Sequence, residues 1–252
     1  YNILEKLPSY ISPLGLGNNI FPSNWLNEKK GINIPKLNKY YGEFTGFYWI
    51  WKNKIQDLKK EDMIGFCHYR KLWMNDLYTH KNKSTFKSLY SNLLRINNEI
   101  LNTVDAIQVQ PITFKNKNLF SDFEEVHKTN ALKDCMSFLS IDLKKEFFTH
   151  MSGQLLFPHN MFITKVKHFE EYCAVIFPWL EKCMNYCHEK KLCNDYNMRM
   201  PAFLAERFTS YWFNRFEKKS LLSYARLGKF HLSNNINSYI NRNISSHIDS
   251  KS

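Results

Sequence analysis

The sequence carries none of the common signatures of redox or phosphate-loop chemistry. No Gly-x-Gly-x-x-Gly run and no Walker loop occurs, which argues against dinucleotide-dependent redox reactions and P-loop phosphoryl transfer. The Gly-x-Ser-x-Gly elbow that exposes a hydrolase serine is missing. So is the His-x-x-x-His spacing that holds zinc on one helix face. Asp-x-Asp, which holds a metal–diphosphate complex in many sugar transferases, occurs nowhere, and Asp122-Phe123-Glu124 is the nearest approach. No apolar run nears the roughly 20 residues that a membrane-spanning helix needs. The start has no signal-peptide pattern, so any membrane association is expected to be peripheral. The chain opens at Tyr1 without a methionine, which suggests a segment of something longer.

The six cysteines (Cys67, Cys135, Cys173, Cys183, Cys187 and Cys193) permit disulfides by number. A core-rich chain of this size does not need them, and a reducing, cytoplasmic setting fits best. Cys183, Cys187, His188 and Cys193 superficially resemble a zinc cluster. No second Cys pair completes it, so ordinary buried thiols are the favoured reading.

At 252 residues, 44% of them hydrophobic, the chain can build one large α/β domain or two small ones. Aromatics reach 16%, and most of these rings are expected to be core. The 35 Lys and Arg against 23 Asp and Glu leave a net charge of +12, which favours anionic partners. The basic residues come in scattered pairs such as Lys29-Lys30 and Lys218-Lys219, as at solvated helix ends. Tyr69, Arg70 and Trp73 interleave charge with rings as a nucleic-acid surface would. No RNA-binding motif accompanies them, and nucleic acid is not the expected partner.

Turn residues from Pro8 to Pro35 mark an irregular lead-in. A helix is expected from Asn38, its N-cap, with Tyr40, Phe44, Phe47, Tyr48 and Trp51 along one face. The apolar run Asp62–Cys67 reads as a strand covered on both faces, ending in His68-Tyr69-Arg70. Further helices are expected over 84–102, 130–149, 166–191 and 199–218, with strands at Asp105–Gln110 and Asn160–Thr164. Residues 113–130 read as loop. Helices alternating with short apolar strands predict an α/β sheet architecture. Beyond Gly228 the chain turns Asn- and Ser-rich, so 1–228 reads as the folded domain and 229–252 as a polar tail.

Ligands of open parallel sheets bind beyond the carboxyl ends of the strands. His68, Tyr69 and Arg70 therefore form the strongest local signal, with cations placed to stabilise charge on a departing diphosphate. The plainer alternative is that His68 and Arg70 cap a helix or pair with a carboxylate. Glu43, Asp76 and Glu206 are candidate proton acceptors. Glu43 reads equally as a carboxylate complementing the helix dipole and as an acid facing a cleft. Glu206-Arg207, set among apolar residues, reads equally as a structural ion pair and as a carboxylate tuned for base chemistry.

Four motifs together resemble a bacterial family, domain of unknown function 4422, associated with galactofuranosyltransferases of O-antigen and capsule synthesis. Leu37-Asn-Lys-Tyr-Tyr-Gly-Glu-Phe-Thr-Gly-Phe-Tyr-Trp-Ile-Trp-Lys-Asn53 is similar to its "N-x-Y-Y-C-E-L-T-x-x-Y-W-x-W-K-N" stretch. Ile64-Gly-Phe-Cys-His-Tyr-Arg-Lys71 resembles "G-L-x-H-Y-R-R". His159-Asn-Met-Phe-Ile-Thr164 is similar to its "N-M-F-I" strand, and Pro201-Ala-Phe-Leu-Ala-Glu-Arg207 to its "G-F-L-S-E-R" helix. The resemblance spans roughly residues 8–215.

It implies a GT-A-like (Rossmann-like) mixed sheet flanked by helices, with a helical C-terminal part. It also implies inverting sugar transfer, from UDP-galactofuranose, to a lipid-linked or oligosaccharide acceptor. The setting implied is the cytoplasmic face of an anionic inner membrane, with homo-oligomers possible. No cofactor is implied beyond the nucleotide-sugar donor, and metal dependence stays open for want of Asp-x-Asp. The resemblance carries over Asn38, Tyr41, Glu43, Thr45, His68, Tyr69, Arg70, Asn160, Glu206 and Arg207 as site residues. His68, Tyr69, Arg70 and Arg207 fall to the diphosphate; Asn38, Tyr41, Thr45 and Asn160 fall to substrate. The family's opening "I-Y-V-A-T-H-K" strand has no counterpart here, Gly42 stands for its Cys, Lys71 for its second Arg, and Pro201-Ala202 for its usual Gly context. The missing strand leaves an alternative, a catalytically inactive sugar-binding or scaffold domain of a larger polymerase.

Overall fold

A computed structural model describes residues 4, 7–75, 90–97 and 99–226. Asp76, residues 84–89 and 98 of the helix expected over 84–102, and the tail from 229 lie outside them. The described part of that helix is interrupted over 92–97, where Leu93 forms a β-bridge with Met74, and resumes only at Glu99–Thr103. In chain order the elements begin with β1 (Leu14–Gly15), β2 (Leu26–Asn27), α1 (Asn38–Tyr41), α2 (Phe44–Asn53), β3 (Met63–Phe66) and β4 (Lys71–Trp73). Next come α3 (Glu99–Thr103), β5 (Ala106–Val109), β6 (Ile112–Thr113), α4 (Leu119–His127), α5 (Ala131–Cys135), α6 (Ile141–Met151) and β7 (Leu155–Leu156). The series ends with β8 (Phe162–Lys165), α7 (Val166–Glu189), α8 (Met200–Asn214), β9 (Lys219–Leu222) and β10 (Tyr224–Arg226).

The central sheet has the order β3-β8-β5-β9. β8 runs antiparallel to β3 and β5, while β9 runs parallel to β5. The carboxyl ends of β3, β5 and β9 therefore share one edge with the amino end of β8. β5 is buried along its whole length, as its position between β8 and β9 requires. Alternation of side chains divides the core between two faces. Ala106 and Phe162 face a large cluster built with α2, α7 and α8, whereas Ile107, Val109, Met161 and Ile163 face a smaller one with Trp73, Leu101 and Leu222.

Phe162 anchors the larger face. Its ring stacks on Phe213 at 4.0 Å and meets Phe47, Phe66, Phe169 and Tyr172 at 5.1–6.2 Å. Burial of rings in these numbers dominates the stabilisation available to the sheet. α8 is buried on nearly every side, as an all-round apolar helix must be. Its Glu206 bonds the turn before β8, and its Arg207 pairs with Asp122 of α4. Among the described residues no helix is long and apolar enough to cross a membrane.

Several local expectations need correction. The helix expected to run on from Asn38 breaks at Gly42 (φ 55°) into α1 and α2, and Leu37 takes the cap position. β3 is an edge strand of the sheet and only half-buried, not covered on both faces. Asn160 precedes β8 in a turn instead of opening the strand. Residues 119–127 form a helix where loop was expected, capped by Asn118 Oδ1 accepting from the Ser121 N–H at 2.8 Å. The helix expected over 130–149 is split into α5 and α6 by a short 3-10 turn.

Candidate active site

The turn before β8 is the centre of the arrangement. His159 (φ 78°) and Asn160 (φ 52°) are consecutive non-glycine residues in the left-handed region. Such backbone persists only when its surroundings hold it. Three elements do so. The His159 N–H donates to Glu206 Oε1 of α8 at 2.7 Å. The Asn160 amide donates to Glu43 Oε1 at the start of α2, 2.8 Å away. His68, just beyond β3, donates from Nε2 to the His159 carbonyl. A carbonyl only accepts, so this bond fixes the proton on Nε2.

Glu43 sits at the amino end of α2 without capping it. Its carboxylate reaches outward instead, to Asn160, to Arg199 Nη2 at 2.9 Å and to His68 Nε2 at 3.7 Å. Burial pushes its pKa up, but His68, the Asn160 amide and Arg199 together outweigh burial and hold it below the ordinary carboxylate range. Glu43 is therefore ionised at neutral pH. Arg199 reaches it across Gly42, where a Cβ would stand 1.8 Å from the guanidinium. Asn160 is buried, yet among the described residues its Oδ1 has no partner. An orphaned buried acceptor beside an ionised carboxylate marks a place for hydroxyl or amide donors.

Behind this turn lies a second charged group. Arg207 is 7% exposed and pairs with Asp122 Oδ2 at 3.0 Å and, more weakly, with Glu206 Oε2 at 3.5 Å. Lys117 Nζ closes on Asp122 Oδ1 at 3.2 Å. Arg207 and Glu206 thus form part of the ion-pair network that latches α8 to α4 and to the turn.

The structure divides the residues singled out from sequence. Glu43, His68, Asn160 and Glu206 converge. Tyr69 and Arg70 occupy the exposed tip of a turn closed by the Lys71 N–H on the His68 carbonyl, with the guanidinium 4.9 Å from the Tyr69 ring centre. Asn38 and Thr45 are spent on the α1–α2 break: the Asn38 amide donates to the Gly42 carbonyl and to Thr45 Oγ1. Tyr41 is buried in the large core cluster. These last three shape the backbone that presents Glu43 and do not line the cluster.

His159, Arg199, Asp122 and Lys117 escaped the sequence reading. Asp122 had a signal, as half of the nearest approach to Asp-x-Asp, and His159 opened the stretch similar to the family's N-M-F-I strand without being singled out. On α4, Asp122 and Glu124 are two residues apart and point to different sides. Glu124 accordingly pairs with Lys133, away from Asp122. Among the described residues no group of three or more His, Cys, Asp or Glu is arranged to hold a metal ion. Burial pushes the Cys183 thiol up, and the His188 ring packs edge-on against Tyr40 at 5.2 Å.

The chain belongs to the family described as Domain of unknown function (DUF4422), which it matches over residues 4–219. No curated protein matches it significantly. Among solved structures it is similar to the apo form of WbbM, a bifunctional glycosyltransferase, with a TM-score of 0.69 and 18% identity. The match covers 86% of this chain and 42% of WbbM, so the chain spans less than half the length of that protein. At this identity the likeness establishes the shared fold: a central mixed sheet flanked by helices, helical toward its C-terminal part.

Proposed function

We propose that this chain is a glycosyltransferase that moves a sugar from a nucleotide-sugar donor onto a hydroxyl of a growing bacterial surface glycan. The donor sugar is galactofuranose, carried on UDP, and transfer inverts the anomeric carbon. The observation that carries the proposal is ionised Glu43, bonded to the Asn160 amide N–H beside the orphaned Asn160 Oδ1, at the carboxyl edge of the sheet. Ligands of α/β sheets bind at that edge, and the neighbouring protein of this fold is itself named a glycosyltransferase.

In the reaction an acceptor hydroxyl oxygen attacks C1 of the sugar. The bond from C1 to the diphosphate oxygen breaks, and its electron pair leaves with UDP. The hydroxyl proton passes to a carboxylate as the new bond forms. Glu43, ionised and next to the orphaned Asn160 Oδ1, is given that role, while Glu206, bonded to the His159 N–H and to Arg207, holds the turn. His68 and Arg70, on the turn after β3, stand where cations would oppose charge on the leaving diphosphate. Asp122 and Glu124 diverge on their helix and do not fit a metal–diphosphate pair, so no step is assigned to a metal. The acceptor is lipid-linked or an oligosaccharide, and the net charge of +12 suits work beside an anionic inner membrane.

The test is UDP release from UDP-galactofuranose with a galactoside acceptor. Glu43→Gln keeps an acceptor for the Asn160 amide but removes the base. It is expected to lower turnover by about 10²–10⁴-fold with donor affinity retained. Wild-type turnover in Glu43→Gln would remove Glu43 from the chemistry. Donor binding without turnover by the wild type would favour a sugar-binding scaffold.

A further inference from the structure

The short 3-10 helix Asp195–Arg199, between α7 and α8, belongs to none of the four motifs, and apart from Arg199 its residues have no role so far. It nevertheless holds an aromatic ring in an unusual setting. Tyr196 is 66% exposed, yet its ring stacks on Phe203 at 5.5 Å and on His127 at 5.8 Å, each at 21°. His127 and Phe203 are themselves 4.5 Å apart. Asn197 clamps the segment to the end of α4 from both sides of its amide. Its Oδ1 accepts from His127 Nδ1 at 2.8 Å, and its Nδ2 donates to the His127 carbonyl at 3.1 Å. The segment begins at Asp195 with φ 40°, a left-handed conformation in a non-glycine residue.

A single exposed ring on a protein surface ordinarily needs no explanation. Here the ring is stacked, its backbone is clamped, and its position is tied to the site. Residues three apart eclipse one another in a 3-10 helix, which puts Tyr196 on the same side as Arg199. Arg199 is the side chain that crosses Gly42 to bond Glu43. The segment therefore presents an open aromatic face and a cation beside the carboxylate that would take the acceptor's proton.

We propose that Tyr196 and Arg199 form the acceptor wall of the site. The Tyr196 ring stacks on the C–H face of a neutral sugar, and Arg199 holds Glu43 toward the hydroxyl that reacts. A rigid ring with one polar end offers large contact area at small entropic cost. The ligand class is a galactoside terminus, bound on the side of Glu43 away from the His68–Arg70 turn. The identity of this ligand rests on the transferase reading above, whereas sugar binding at Tyr196 can be read without it.

The experiment is saturation-transfer NMR with octyl β-galactoside on the wild type, Tyr196→Ala and Tyr196→Phe, with UDP affinity measured by calorimetry on the same proteins. Tyr196→Ala is expected to weaken the glycoside about five- to tenfold, the loss of one stacking contact. Tyr196→Phe is expected to bind it as the wild type does, and UDP to bind all three alike. Equal glycoside binding by all three, or none by any, overturns the acceptor wall and leaves the transferase reading standing on its own test. A parallel loss of UDP affinity in Tyr196→Ala also overturns it, since the ring would then serve the donor side or the fold. Glycoside binding that depends on Tyr196 in a chain that binds no UDP supports the wall and removes the transferase reading.

Discussion

Glu43 shows how a carboxylate can be half-buried and still charged. Burial alone would raise its pKa, and the nearby His68, Asn160 and Arg199 reverse the sign. A folded pKa below the unfolded one adds stability that is fully present above the ordinary value of 4.5 and is lost as pH falls through the lower folded value. Denaturation curves should therefore show the wild type losing its advantage over Glu43→Gln only below about pH 4.5. A difference that instead vanished near neutrality would mean that Glu43 is protonated there. Gly42, one residue earlier, carries a separate prediction. It has φ 55° and leaves no room for a Cβ beneath Arg199, so Gly42→Ala should cost about 1–3 kcal/mol. Chemical denaturation would register the loss, and the Arg199–Glu43 bond should be displaced with it. The Gly that stands for the family's Cys thus accompanies an arginine that uses the vacated space.

At the scale of elements, the site depends on how firmly the turn before β8 is held. Phe162, the first residue of β8, lies within a stack of five other rings. Phe162→Ala should cost about 3–5 kcal/mol, measurable as a lowered denaturation midpoint. A cost below about 1 kcal/mol would mean the rings close over the gap and the strand is held otherwise. The long helices α7 and α8 were legible because their core residues recur at helical spacing over many turns. β5 was legible as a short apolar run ended by Pro111. α4 was not, since Lys115-Asn-Lys-Asn118 and Lys128-Thr-Asn130 flank it with polar residues and only Leu119, Phe120 and Phe123 supply its apolar face. Glu43, His68, Asn160 and Glu206 were legible from motifs. Their division of labour was not, because it rests on contacts between residues 47 to 117 positions apart. Arg199 and Tyr196 left no local pattern at all, and only folding brings Arg199 to Glu43 and Tyr196 onto His127 and Phe203.

For the whole molecule, stability and function should separate with pH. Burial, with Lys219 nearby, pushes His150 down to about 4 from 6.5. Its ring bonds Ser210 Oγ at 3.1 Å, and Ser210 in turn accepts from the Phe157 N–H at the approach to the site turn. Between about pH 6.5 and 4 the unfolded chain gains a proton at this position that the folded chain refuses. Stability should therefore fall as pH drops across that window, and His150→Gln should flatten the slope in thermal denaturation. On the proposed function a cationic turn and a carboxylate share one donor–acceptor site at the sheet edge. The most direct test of this is calorimetry with UDP and UDP-galactofuranose, with and without Mn²⁺ or Mg²⁺, on the wild type and Arg70→Ala. Donor binding by the wild type that falls at least about tenfold in Arg70→Ala is the predicted result, a loss of about 1.4 kcal/mol. Absence of donor binding under every condition, or binding indifferent to Arg70, would contradict it.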